Sequence, residues 1–564
     1  MNNLYEWNLS ELYIDNNEWE KEYEFLKEIM LSKIKRKIKI ISSIEDIILI
    51  FELEDSIDEN FNKLYMYCFL HMEIYGREKK YLDMIKKLEN LWNDIYNIKM
   101  ERNLIITNSY SLEELLKNHI ITKYEKSLNE IYITEDEQYI LNNRLLDKNE
   151  EINNKYYHII KDIDVSDYNK IFISNDLKVI KKNLINYSRI FNNESEEIAN
   201  LIKEKIFVWK SIQELNNYNN ICDILIDEKE IKKIYNNILQ SIKDNYNILH
   251  KYIELQCELS DKKIIHEHEL KKVLFQLNKD DIVIEFSEAK EIIYNSMRIM
   301  GKNYCNIIDS AFNNGWIDPF QREKKSYNSY CVGVYNVHPY IFLNYNRDID
   351  SLLILAHELG HAIHYYIMNK NLPFRYTEFD SFIGEVPALL SEILVLDYLY
   401  NDKKYSTYKK SIINKKIEFI KYNIYNIGLE QEYVERIMRC NNEINKQTLD
   451  KIWADINTDY YGKKYKLNHF NKSSWNKTKN LFDDLSNCKY MISSYLAFKI
   501  YFNIKDGNKE YLKLLINAFS MEAKELLKQY NLSSNSEYYL KAIFYEFNKN
   551  IDEYRILECV KKSL

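Results

Sequence analysis

Glycine and proline are scarce in this sequence, and the shortage restricts the fold. The chain of 564 residues contains nine glycines and four prolines, the two residues that most strongly interrupt helices and form tight turns. Long stretches instead place apolar residues three and four positions apart, which is the spacing of amphipathic helices. The sequence therefore predicts a mostly α-helical protein.

Long apolar runs and an excess of basic residues are also lacking. No apolar run approaches the roughly 18 residues that cross a bilayer. The first residues, MNNLYEWNLS, have neither the basic start nor the apolar stretch of a secretory signal. The formal charge of -8 is opposite to that of a typical nucleic-acid-binding domain. We therefore expect a cytoplasmic protein with no membrane or nucleic-acid partner, of unknown oligomeric state.

Paired cysteines are absent as well. The eight cysteines are widely spaced and form no CxxC pair. A secreted disulfide framework would need closer and more numerous cysteines in a shorter chain. The sequence therefore predicts reduced, mostly buried thiols.

One short region departs from the helical pattern. Residues 330–346, YCVGVYNVHPYIFLNYN, concentrate Val, Tyr, Ile and Phe around one glycine and one proline, a composition typical of a β-hairpin. Pro339 suits an edge strand, because proline has no N–H to donate to a neighbouring strand. An edge strand here could pair with an extended peptide. The alternative interpretation is a purely structural hairpin.

The octet HELGHAIH follows at residues 357–364. Residues four apart share a face of a helix, so His357 and His361 can hold one cation between their imidazoles. Glu358 lies beside the first histidine and can act on a water in an open coordination position. HExxH is the pattern of zinc metalloproteases, with this glutamate as general base.

A third ligand is expected on the next helix, DSFIGEVPALLSEILVLDYLYN. Glu385 and Glu392 are two turns apart and share a face. The stretch between His361 and Glu385 is long enough to turn back, so Glu385 completes a His, His, Glu set. Glu392 either holds a ligand histidine by its second ring nitrogen or is a surface carboxylate. For His364, one turn beyond His361, the best functional role is a supporting hydrogen bond.

At these residues the sequence resembles the oligoendopeptidase F family of thimet-oligopeptidase-like zinc peptidases. GWIDPF at 315–320, the stretch from YNVHPY at 335–340 through HELGHAIH, and FIGEVPALLSE at 382–392 resemble the family core in order and spacing. The resemblance implies one zinc ion per chain bound by His357, His361 and Glu385, Glu358 as the base, and Glu392 as a supporting carboxylate. It also implies a helical body of two lobes around a deep channel that admits short peptides.

The sequence differs from the family pattern near its C-terminus. Where the family has a histidine and a cluster of tyrosines that bind substrate, this chain reads NLFDDLSNCKYMISSYLAFK at 480–499. Tyr490 is the best match to a tyrosine that stabilises the tetrahedral intermediate, and Tyr495 is a weaker match. No counterpart of the histidine is present in this stretch.

These observations predict an N-terminal helical domain over residues 1–180 and a catalytic domain over 181–564. The expected activity is a zinc-dependent endopeptidase that cleaves short unstructured peptides. Its alternatives are a zinc carboxypeptidase on a similar fold and a peptide-binding homologue that does not cleave. The residues predicted to bind substrate are Tyr335, Asn336, His338, Tyr340 and Tyr495.

Overall fold

The computed structural model of the protein describes most of the chain. The described residues are 6–133, 137–161, 177–218, 223–224, 226, 229–267, 269–270, 282–377, 381–440, 444–508, 528–532 and 534–563. Helices dominate, which confirms the mostly α fold with a small sheet. Within these ranges, no helix is both long and apolar enough to cross a bilayer.

The α-helices are numbered here in chain order. They are α1 (Asn16–Glu24), α2 (Leu31–Ile38), α3 (Ile44–Tyr75), α4 (Lys79–Ser109), α5 (Leu112–Leu116), α6 (Glu125–Ile133), α7 (Glu137–Ile160), α8 (Leu177–Asn193), α9 (Ser195–Asn216), α10 (Lys229–Asp244), α11 (Tyr246–Ser260), α12 (Phe286–Met297), α13 (Lys302–Asn313), α14 (Ile349–Asn371), α15 (Ser381–Asn401), α16 (Lys409–Ile420), α17 (Ile427–Met438), α18 (Lys446–Tyr461), α19 (Cys488–Lys505) and α20 (Ser536–Ser563).

A small sheet consists of β1 (Ile317–Asp318), β2 (Tyr330–Val332) and β3 (Tyr340–Phe342). The strand order is β1-β3-β2, with β1 parallel and β2 antiparallel to β3. The predicted hairpin is therefore present, but the predicted position of its edge strand is wrong. β3 pairs on both sides, and β1 and β2 are the two edge strands of this sheet. Pro339 precedes the first residue of β3, so its missing N–H costs the sheet no hydrogen bond.

Two compact units divide the chain. The first comprises Met1–Ile140 and Ile284–Phe379. It contains the sheet and α14, and its N-terminal segment is fixed by Trp7. The Trp7 indole N–H lies 3.0 Å from the carbonyl oxygen of Trp316 and 2.9 Å from that of Ile341, so both are within hydrogen-bonding distance.

The second unit comprises Leu141–Val283 and Asp380–Leu564. Its helices α15 and α19 pack along each other, and its core includes the stacked rings of Tyr156 and Phe482. Each unit is thus assembled from two separate segments of the chain. The predicted domains, 1–180 and 181–564, are continuous stretches of sequence, whereas these units are defined by compactness in space. That division stays a prediction.

The beginning of α14 is fixed by a reciprocal cap. The Asp348 carboxylate accepts a 2.7 Å hydrogen bond from the backbone N–H of Ser351, and the Ser351 hydroxyl accepts one from the N–H of Asp348. Such a capping box satisfies two backbone donors that a helix start leaves unpaired. It sets the register of the helix that carries the HELGH motif.

Candidate metal centre and active site

His357 and His361 lie one turn apart on α14, as the motif predicts. Their Nε2 atoms are 3.2 Å apart, and their ring centroids are 4.8 Å apart at a steep mutual angle. Both side chains are partly exposed. Two imidazole nitrogens at this separation can bind the same cation, because each needs to be only about 2.0–2.1 Å from a zinc ion.

Glu385 supplies the third candidate ligand atom. One atom from each of His357, His361 and Glu385 lies within 4.8 Å of the others. Two imidazoles and one carboxylate are the donor set of catalytic zinc sites, which keep a position open for water or substrate. The residues present therefore fit a divalent metal such as zinc, although their roles as ligands stay a prediction.

The predicted base, Glu358, is nearly buried, with 7% of its surface exposed. It lies close enough to the edge strand β2 for its charge to affect the pKa of Cys331. Burial, and then the charge of Glu358, raise the pKa of the Cys331 thiol well above its usual value. Cys331 is therefore a neutral thiol near the carboxylate.

A glycine permits the close approach of β2 and α14. A Cβ atom built on Gly333, directly after β2, would lie 2.4 Å from the Tyr365 ring and 2.9 Å from the Tyr365 Cβ. Atoms do not approach this closely without displacement, so any side chain at residue 333 would push the strand away from the helix. Gly333 thus keeps the edge strand against the helix that carries the motif.

His364 and Glu392, the two predicted supporting residues, differ in their surroundings. His364 is 1% exposed, and burial, with a smaller contribution from His361, lowers its pKa to about 3. It is therefore a neutral imidazole at physiological pH. Glu392 is partly exposed on α15, two turns after Glu385. The supporting roles of both residues stay predictions.

Lys489, at the beginning of α19, lies close to the candidate ligand Glu385. The sequence did not single out this lysine. The Lys489 ammonium lies 3.0 Å from Glu385 Oε1 and 4.9 Å from the centroid of the Tyr490 ring. Tyr490 is partly exposed, whereas Tyr495 is fully buried in the same helix. The burial of Tyr495 favours a packing role over the predicted contact with substrate. The only sequence signal for Lys489 was its place in the segment that departs from the family pattern.

The remaining predicted substrate residues lie at or before β3. His338 and Tyr340 are buried, and the His338 ring stacks on Trp316. Tyr335 donates a 2.9 Å hydrogen bond to the carbonyl of Leu372 at the end of α14, while Asn336 is exposed. Burial favours structural roles for His338 and Tyr340, and the predicted contacts of all four residues with substrate are untested.

The fold and the site together define a class of protein. It is a helical protein in which two histidines of an HExxH helix and a glutamate of the following helix could hold a metal ion, with the donor types of catalytic zinc sites. The sequence profile of peptidase family M3 matches residues 181–542. The chain belongs to this family of peptidases, and membership implies a bound metal ion.

Individual relatives can be aligned with nearly the whole chain. Oligopeptidase PepF of Bacillus subtilis is 21% identical over 99% of this chain and 88% of its own length. The chromosomal oligoendopeptidase F of Lactococcus lactis subsp. cremoris is 21% identical over 97% and 96%. The predicted resemblance to the oligoendopeptidase F family is confirmed.

Solved structures show the same fold. A Chlamydophila abortus chain matches with a TM-score of 0.80 at 17% identity, over 97% of both chains. Oligoendopeptidase F from Enterococcus faecium matches with a TM-score of 0.65 at 15% identity, over 96% of this chain and 99% of its own.

Proposed function

We propose that this peptidase is a zinc-dependent endopeptidase that hydrolyses internal bonds of short, unstructured peptides. One observation carries the proposal: in a chain of peptidase family M3, the candidate ligand atoms of His357, His361 and Glu385 converge within 4.8 Å. The names of the relatives support oligopeptides as the substrate class.

The three ligands would hold one zinc ion per chain. Zinc in such a site supplies a Lewis acid that polarises the scissile carbonyl and lowers the pKa of water to about 7. Among the protein's own groups, Glu358 takes a proton from the attacking water and passes it to the nitrogen of the leaving amine. Its position directly after His357 in α14 suits this role.

Tyr490 would assist at the developing oxyanion. Tyr490 is partly exposed at the start of α19, and its O–H would donate to a substrate oxygen. A donor aimed at a developing oxyanion contributes about a hundredfold or more to turnover.

The edge strand β2 would hold the peptide backbone extended. It is an edge of the described sheet, the position that the sequence analysis gave to the strand at Pro339, and Cys331 within it lies near Glu358. Strand addition fixes a backbone by main-chain hydrogen bonds, irrespective of sequence. This mode suits a peptidase that accepts many short peptides.

A cytoplasmic location belongs to the same proposal. Six described cysteines are free thiols, the state that a reducing compartment maintains: Cys68, Cys257, Cys305, Cys331, Cys440 and Cys488.

Digestion of a peptide pool tests the proposal. Peptides of roughly 6–20 residues, a range chosen to suit the substrate class, are incubated with the metal-loaded protein, with and without a zinc chelator, and the products are weighed by mass spectrometry. We expect internal cuts that the chelator abolishes. Single residues released from the C-terminus would instead indicate the carboxypeptidase alternative, and tight binding without cleavage would indicate the non-cleaving homologue.

A further inference from the structure

We propose that Lys489 is a positioning residue that orients the candidate metal ligand Glu385. The inference rests on the proposed function, since it assigns Glu385 to the metal. Lys489 Nζ lies 3.0 Å from Oε1 of Glu385, and only 7% of the glutamate side chain is exposed. A charge-assisted hydrogen bond at this distance is short enough to restrict the rotation of the carboxylate.

The position of Lys489 follows from the packing of two helices. Ser493, one turn after Lys489 on α19, donates its hydroxyl hydrogen to the carbonyl oxygen of Phe382 near the start of α15. Residues four apart share a face of a helix. Lys489 and Ser493 thus contact α15 from the same face, one at a side chain and one at the backbone. These two contacts fix the lysine along the axis of α15.

The start of α19 is itself held in place. The Asn480 side chain donates a 2.9 Å hydrogen bond to Glu430 on α17 and accepts one of 2.9 Å from the backbone N–H of Asn487. Asn487 directly precedes α19. The Lys489 ammonium also lies over the Tyr490 ring at 4.9 Å, a distance at which cation–π attraction contributes. Lys489 therefore has a supported position.

A carboxylate that binds a metal with one oxygen is free to rotate unless its other oxygen is occupied. In metal sites, groups that hydrogen-bond to the ligands orient them, and removal of such a group weakens metal binding by about 10–100-fold. An ammonium on one carboxylate oxygen of Glu385 is compatible with metal binding through the other. It also shares the negative charge, which lowers the electrostatic attraction for the metal. For Lys489 to strengthen metal binding, the free energy gained by orienting the Glu385 carboxylate must exceed this electrostatic loss.

The same pair of helices offers a matched control. Lys505, at the end of α19, lies 3.1 Å from the Asp397 carboxylate on α15. This pair repeats the chemistry of Lys489 and Glu385 on the same two helices, but it involves none of the candidate ligands. Lys489→Met and Lys505→Met remove equivalent charges, and Lys489→Arg keeps a cationic donor.

The first measurement is the zinc dissociation constant, obtained by competition with a chromogenic chelator. For Lys489→Met we expect a dissociation constant about 10–100-fold higher than that of the wild type. Lys505→Met should stay within about twofold and Lys489→Arg within about fivefold, since both retain an oriented Glu385. Lys489→Gln is the second variant if the methionine variant does not fold, and it should be intermediate.

The visible spectrum of the cobalt-substituted protein gives a second readout, because it reports coordination geometry. It should change in Lys489→Met and stay unchanged in Lys505→Met. Wild-type affinity, or tighter zinc binding, in Lys489→Met would overturn the proposal, and so would an equal loss in both lysine variants. A wild type that binds zinc but cuts no peptide would refute the proposed function alone. A wild type that binds no zinc would refute both.

Discussion

The HELGH helix and the α15–α19 pair differ in how their candidate functional residues come together. In α14, His357, Glu358 and His361 lie within one turn of each other, so helix geometry alone sets their spacing. In the pair, Glu385 meets Lys489 only because two helices distant in sequence pack together. The first arrangement can be recognised from a short motif, whereas the second depends on tertiary structure.

The largest effect should follow a change within the motif. Glu358→Gln keeps the shape of the side chain but removes the proton acceptor, so turnover should fall by about 10²–10⁴-fold. Zinc content should stay the same, because the candidate ligands are untouched. The measurements are the cleavage rate of one peptide found in the digestion experiment and the metal content of the purified variant.

Asp350→Asn is a matched control on the same helix. Asp350 is exposed in the first turn of α14, so its substitution should change the rate by less than about twofold, as surface changes usually do. Near wild-type turnover of Glu358→Gln would show that the base has been assigned to the wrong residue.

An intermediate effect is expected at the contact between helices. The weaker zinc binding of Lys489→Met, about 10–100-fold, would show that tertiary packing contributes to the site in addition to the motif.

The smallest effect should appear at Glu430, which helps to hold the start of α19. Burial raises the pKa of Glu430 to about 7, against opposing hydrogen bonds from Asn480 and Asn487. The folded protein thus keeps a proton that the unfolded chain, with an ordinary pKa of about 4.5, releases. The free energy of unfolding therefore falls as pH rises from about 4.5 through about 7, and the loss reaches its full value above that range.

Glu430→Gln removes this titration. We expect its apparent Tm to exceed that of the wild type by about 1–2 °C at pH 8, with a smaller difference at pH 5. Asp455→Asn, an exposed change on α18, should show the same difference from the wild type at both pH values. A Glu430→Gln difference that is equal at both pH values would contradict the assigned titration.

The sequence predicted the features that depend on local spacing. The helix of His357 and His361 follows from apolar periodicity, and Glu385 follows from the length of the connection and its place on the next helix. The mostly helical fold followed from the shortage of glycine and proline. The helix and the fold class depend on neighbours within a few turns, which a single sequence displays directly, and Glu385 is on the next helix along the chain.

The features that depend on distant contacts could not be predicted in the same way. Pro339 suggested an edge strand, but it lies just before β3, and the two-residue strand β1 pairs with the other side of β3. A strand that short has no periodicity to recognise. Lys489 stands in a stretch without any known motif, and only the packing of α19 against α15 relates it to Glu385.

X-ray absorption at the zinc edge of the zinc-loaded protein identifies the atoms that bind the metal. We expect one zinc per chain, with imidazole nitrogen and carboxylate oxygen donors at about 2.0–2.2 Å and no sulfur ligand. Double substitution of His357 and His361 by alanine should abolish this signal. A sulfur donor at about 2.3 Å, or an unchanged spectrum in the double variant, would show that His357, His361 and Glu385 are not the ligands and that the metal binds elsewhere.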